Sequence, residues 1–267
     1  MKVVTFAVYS GGCGKSTSSS SMATILARKG YRTLFIDADK QRNSTSNMEC
    51  DDKGTFTIYD VLDQHRPLQN GVKSAIRHCE TCDVIAGDGM LDTLNDQLKK
   101  VNLQSPNAGT LALRRALDTI RDDYDFVVID TSYIVDEILY AVLAATDDII
   151  VPLDVDIKAI QGFISLNTDI KKIVSDVNPN LRVAGCLLTR VNSNMRVKNT
   201  KEFFEAAVNM AAMLNAKVFK TVIRTTEAVR TAHNHHENFI LHYPRTNAAE
   251  DYEAFVDEYL ADIKGDE

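Results

Sequence analysis

The chain has 267 residues, 45% of them hydrophobic and 25% charged, with a formal net charge of −7. Length and composition suit a globular α/β domain with a sizeable buried core. The acidic balance excludes a uniformly basic nucleic-acid binder, though not a local basic face, and no run approaches the roughly 20 apolar residues of a membrane-spanning helix.

Residues 3–9 read as a strand that breaks at Gly11 and Gly12, too early for a secretion signal. The break is S-G-G-C-G-K-S-T, residues 10–17, and a helical pattern follows with Met22, Ile25 and Leu26 on one face. Gly11, Gly12 and Gly14 permit backbone angles and close approaches that a Cβ would block. The backbone of residues 11–17, Cys13 and Thr17 included, can then turn N–H groups onto phosphate oxygens. Lys15 adds a point charge for the β- and γ-phosphates, and the Ser16 hydroxyl is a ligand for Mg²⁺. The helix N-terminus faces the same anion. The strict GxxxxGKS pattern fails, because Tyr9 stands at its first glycine.

The second strand, 33–37, ends in Asp37, with Asp39 two residues on and on the same face. A polar, turn-rich stretch at 49–69 reads as a surface excursion, and 191–199 as a loop. Further strands at 83–86, 126–130, 148–152, 182–188 and 217–223 include continuous Val/Ile/Leu/Phe runs, as expected of strands covered on both faces. Between them, Leu91, Leu94, Leu98 and Val101 share a helix face, and helical patterns cover 111–121, 157–177, 197–214 and 248–263. The alternation predicts a doubly wound, mostly parallel α/β sheet with helices on both faces. No linker or composition shift splits it, so 1–267 reads as one domain. Ligands of open α/β sheets sit beyond the carboxyl ends of strands. There Asp37, Asp39 and Asp130 suit a Mg²⁺ shell and a positioned water, although each alone serves as well as an N-cap or surface acid.

Cys13, Cys50, Cys79, Cys82 and Cys186 form an odd set, read as reduced thiols. Cys79-Glu-Thr-Cys82 is a lone CxxC without the second ligand pair of a zinc site. His233-Asn-His-His236, placed in a loop between helical patterns, lacks matching Cys or Asp spacing and reads as a solvated cluster. The C-terminal segment is amphipathic but acidic, unsuited to an anionic membrane surface.

S-G-G-C-G-K-S-T, L-F-I-D-A-D-K-Q-R-N-S-T and D-Y-D-F-V-V-I-D together resemble the deviant Walker ATPases, and most of all the ParA/Soj partition proteins. Their pattern is KGGxGKTT, D-x-D-P-Q-G-N-x-T and D-Y-x-x-x-I-D, and the likeness runs on to Gly185-Cys-Leu-Leu-Thr-Arg190 and beyond. The resemblance implies a P-loop ATPase of the short form, without a helix-turn-helix extension. It would dimerise on ATP and Mg²⁺, bind DNA without sequence preference and answer to a ParB-like, centromere-bound partner. It would be cytoplasmic and nucleoid-associated. By motif position Lys15 holds phosphates, Ser16 and Asp130 serve the metal, Asp37 lies beside the metal shell and Asp39 positions the attacking water. A cluster of Arg190, Arg196, Lys198, Lys220, Arg224 and Arg230 offers phosphate contacts to DNA, the last two near the family's DNA-contacting arginines.

Ser10 replaces the family's signature lysine, which reaches across the dimer to the partner's nucleotide. Hydrolysis is therefore expected to be weak, since a serine hydroxyl cannot supply that charge. Lys40 and Arg42 stand where the family has proline and glycine, and are the candidates to restore it. Two other functions stay open: a nucleotide-gated assembly switch with little or no hydrolysis, and an ATPase that positions a protein cargo.

Overall fold

The computed structural model describes residues 1–50, 54–154, 158–192, 197–213 and 215–265, with backbone alone at 158–164 and 197–203. In chain order the first elements are β1 (Lys2–Phe6), α1 (Lys15–Arg28), β2 (Thr33–Ala38), α2 (Asn43–Asn47), α3 (Ile58–Leu62), β3 (Ile76–Arg77) and β4 (Asp83–Ile85). Next come α4 (Leu91–Gln104), α5 (Ala112–Asp118), β5 (Phe126–Thr131), α6 (Glu137–Ala145), β6 (Asp148–Leu153) and α7 (Lys158–Asp176). The last are β7 (Arg182–Val191), α8 (Val197–Met213), β8 (Val218–Arg224), α9 (Glu227–His235), α10 (Phe239–His242) and α11 (Asn247–Gly265).

The strands form one sheet in the order β3-β4-β2-β5-β1-β6-β7-β8. All pairs are parallel except β3 with β4. Successive side chains alternate between faces: in β2, Phe35 joins the core under α1 and α11, while Leu34 and Ile36 join the core under α3, α4 and α6. Beyond β1 the second face continues under α6, α7 and α8 through Ile149, Val151 and Leu188. Helices thus cover both faces, as the strand–helix alternation predicts. β1 lies between β5, which leads toward β2, and β6, which leads the other way, so the strand order reverses at its carboxyl end. That is where a crevice opens in such a sheet.

Five expectations need correction. Residues 137–145 form α6, where the sequence pattern predicts no element; EILYAVLAA is apolar nearly all round and buried, so it has no amphipathic stripe to read. The 49–69 stretch contains α3, whose Ile58 and Leu62 are buried and whose start is fixed by a capping box between Thr57 and Asp60. His233 and His235 lie on α9 and not in a loop. Cys50 and Cys79 form a disulfide with their Cα atoms 5.5 Å apart, so only Cys13, Cys82 and Cys186 are free thiols, all buried. A pairing across 29 residues is invisible to local spacing. The 191–199 stretch is partly strand, since β7 runs to Val191, and α8 begins at Val197.

Candidate functional site

The turn between β1 and α1 adopts the conformation its glycines allow. Gly12 and Gly14 have φ of 77° and 83°, in the left-handed region that a Cβ disfavours, and Gly14 caps α1. Lys15, the first residue of α1, is buried, and its Nζ donates to the carbonyls of Val8 at 3.1 Å and Ser10 at 2.7 Å. The loop opens on a cavity of about 520 Å³ lined by Gly11, Gly12, Gly14, Lys15, Ser16 and Thr17. Residues from the ends of β2, β5, β7 and β8 complete the wall.

Beneath the loop lie two carboxylates. Asp37 and Asp130 are register partners on β2 and β5, and both are fully buried. Asp37 accepts from the Thr45 N–H and hydroxyl, each at 2.8 Å, and from the Asp39 N–H at 3.0 Å. Asp130 accepts from the Ser44 hydroxyl, while its Oδ1 has no hydrogen-bond partner among the described residues. Burial first, and then the Asp130 charge, raise Asp37 from the usual carboxylate range; its hydrogen bonds act the other way. Burial likewise raises Asp130, against the hydroxyls of Ser44 and Ser16 and the charge of Lys15. Two buried acids with one oxygen unpartnered, facing a loop hydroxyl, are a donor set for a hard divalent cation.

Asp39 lines the cavity. Lys40 and Arg42 are not among the described lining residues. The Lys40 ammonium binds Asp92 at 2.9 Å, and Arg42, at φ 57°, caps α2. Four of the six cations read as a DNA surface have described side chains. Arg190, Arg224 and Arg230 all line the cavity itself. The Arg190 guanidinium donates to the Gly12 carbonyl and to Asp154, both at 2.9 Å. Arg224 is held two-pronged by Asp251 of α11, at 2.7 and 2.8 Å, and Arg230 pairs with Glu227 at 2.6 Å. Lys220 is on exposed β8 surface. Lys198 falls in α8 with its side chain outside the described residues, as Arg196 is entirely. Among the described residues there is no group of three or more His, Cys, Asp or Glu that could hold a metal. No helix among them is long and apolar enough to cross a membrane.

Four residues of the site were not singled out from sequence. Ser44 and Thr45 connect α2 to both acids. Thr189 donates to the Cys13 carbonyl at 2.8 Å. Gly87 gives its N–H to Thr45 at 2.9 Å, and a Cβ there would lie 2.8 Å from the Asp39 carbonyl oxygen and 3.0 Å from the Asp37 carboxyl carbon. A signal existed for the first two, in the N-S-T that follows D-A-D-K-Q-R. None existed for Gly87, whose role is set by an adjacent strand.

A family profile described as an AAA domain matches residues 1–183. The chain is 27% identical to the sporulation initiation inhibitor protein Soj of Bacillus subtilis over 94% of this chain and 95% of that one. Among solved structures it resembles apo McdA from Cyanothece, with a TM-score of 0.81 at 21% identity, covering 97% of this chain and 99% of the other. A putative plasmid partition protein from Borrelia burgdorferi bound to AMPPNP matches with a TM-score of 0.76 at 25% identity, over 98% and 99% of the two chains.

Proposed function

The chain belongs to this AAA-domain family, among its ParA/Soj-type partition ATPases, and from that premise we propose that it is an ATP-dependent DNA-partition protein. In this reading one domain takes ATP·Mg²⁺ at the loop of residues 10–17 and dimerises on it. The dimer binds DNA without sequence preference, and a ParB-like partner stimulates slow hydrolysis. The carrying observation is the juxtaposition of a left-handed glycine loop, Lys15 and the buried Asp37–Asp130 pair at the carboxyl edge of the sheet. The partition context is supported by relatives named as chromosome-partitioning proteins and by the plasmid partition protein bound to AMPPNP.

The residues fit the cofactor. The unpartnered Oδ1 of Asp130 and the Ser16 hydroxyl would hold Mg²⁺, with Asp37 behind them. Held there, the metal would supply positive charge to offset that of the phosphates. Lys15, now on the loop's own carbonyls, exchanges those acceptors for phosphate oxygens. Asp39, at the cavity wall, orients the attacking water. Thr45 holds Asp37 by two hydrogen bonds and so fixes α2 over the acids.

A second reading, a nucleotide-gated switch with little hydrolysis, is favoured by Ser10 and by the position of Lys40 on Asp92, away from the cavity wall. Isothermal calorimetry with ATP and Mg²⁺ tests the nucleotide site. Micromolar affinity is expected, lost by at least about a hundredfold in Lys15→Ala, as for removal of a buried charge-assisted contact. Unchanged affinity in that variant overturns the assignment. Phosphate release with DNA and partner then separates the two readings: turnover supports the partition ATPase, and none supports the switch. ATP-dependent DNA retention that falls steeply with salt is expected in either case.

A further inference from the structure

We propose that Arg190 is a positioning residue of the phosphate loop, fixing the orientation of the Gly12–Cys13 peptide through the Gly12 carbonyl; this rests on the nucleotide reading above. Two consecutive residues of β7 grip two consecutive carbonyls of the loop. Arg190 donates to the Gly12 carbonyl at 2.9 Å, and Thr189 donates to the Cys13 carbonyl at 2.8 Å. A trans peptide is planar, with its C=O and N–H pointing in opposite directions. A Gly12 carbonyl held by Arg190 therefore turns the Cys13 N–H away from Arg190, and Thr189 does the same for the Gly14 N–H.

The local backbone is built for this grip. Arg190 has φ 56°, a left-handed conformation uncommon for a residue with a Cβ. Such a residue persists where its surroundings over-determine it, and it clusters at functional sites. The same guanidinium nitrogen binds Asp154, just past the end of β6, also at 2.9 Å. That carboxylate cancels the arginine's charge and leaves its geometry, so the assigned role is orientation of the loop and not charge on the nucleotide. Arg190 also lines the cavity with Gly12 and Lys15.

The test measures ATP·Mg²⁺ and ADP·Mg²⁺ affinity by calorimetry in the full chain, Arg190→Gly, Arg190→Gln and Lys15→Ala, with the thermal midpoint of each nucleotide-free protein. Glycine accepts φ 56° without cost, so Arg190→Gly removes the guanidinium and spares the fold. Both nucleotides are expected to bind about tenfold or more weakly to Arg190→Gly, the scale of one lost charge-assisted hydrogen bond. The midpoint should stay within about 2 °C, less than a 1 kcal/mol change would produce in a domain of this size. Arg190→Gln, neutral yet able to donate from its amide, should recover part of the affinity. Affinities within twofold of the parent protein in Arg190→Gly overturn the proposal and return Arg190 to the DNA surface if DNA retention falls instead. A loss that Gln leaves in full overturns it too. Parental affinity in Lys15→Ala, or no nucleotide affinity in the parent, overturns the nucleotide reading itself.

Discussion

Asp37 and Asp130 sit side by side and fully buried, and this sets how the protein answers to pH. Burial raises Asp37 from 3.8 to about 7 and Asp130 to about 6, so the folded chain keeps protons that the unfolded chain releases near pH 4. Stability is linked to the difference in bound protons. Between about pH 4 and about pH 7 the folded state holds more of them, so stability falls as pH rises through that window and levels off above it. Metal binding runs the opposite way, because Mg²⁺ competes with those protons. Urea unfolding in chelator at pH 5.5 and pH 8 is expected to show the parent weaker at pH 8, and added Mg²⁺ to restore more stability at pH 8 than at pH 5.5. Asp37→Asn should flatten the slope. A slope that the variant keeps, or a magnesium effect that shrinks as pH rises, would place the response elsewhere.

At the scale of elements, what was legible in the sequence was what local pattern encodes. The seven longer strands announce themselves as apolar runs, and α4 by Leu91, Leu94 and Leu98 on one buried face. The two-residue β3 carries no pattern of its own, because the antiparallel pairing of Ile76 with Ile85 makes it a strand. The phosphate loop and its acids were legible because each ends or follows a strong strand; Gly87, Thr189 and the true seat of Arg190 were not, because partners from distant strands define them. Gly185 in β7 illustrates the same limit. Its sequence context, Ala-Gly-Cys-Leu, reads only as strand. A Cβ there would lie 2.7 Å from the ring of Phe219, which is fully buried and packs edge-on against Phe255 with centroids 5.0 Å apart. Gly185→Ala is expected to cost about 1–3 kcal/mol, as overpacking does. Chemical denaturation should show a lower midpoint at unchanged slope; an unaltered midpoint would mean that β7 and β8 separate freely at this point.

Across the whole molecule, the sheet divides into a carboxyl edge that carries the cavity and an amino edge that fastens the fold. At the amino edge, opposite the cavity, the fully buried Asp148 accepts from Arg182 at 2.6 Å and from the Tyr259 hydroxyl at 2.7 Å, and pairs with Lys2 at 3.1 Å. Burial pushes its pKa up, but Arg182, Tyr259 and Lys2 together outweigh it, so the carboxyl is held below its ordinary value. The four groups come from β1, β6, β7 and α11 and fasten the C-terminal helix to the middle of the sheet. Tyr259→Phe leaves the ring in place and removes one hydrogen bond to a charged acceptor, worth about 1.5–3 kcal/mol. Since roughly 2–4 °C accompany each kcal/mol in a domain of this size, the thermal midpoint should fall by several degrees. Nucleotide affinity should not change, because Tyr259 is not among the described residues that line the cavity, whereas Tyr252, two turns earlier on α11, both lines the cavity and meets Ser18 of α1 at 3.0 Å. A drop in affinity alongside the drop in midpoint would show that α11 transmits strain from one edge to the other. The two edges would then act as one cooperative unit, with the grip of Asp148 on the helix bearing on the phosphate loop through Tyr252.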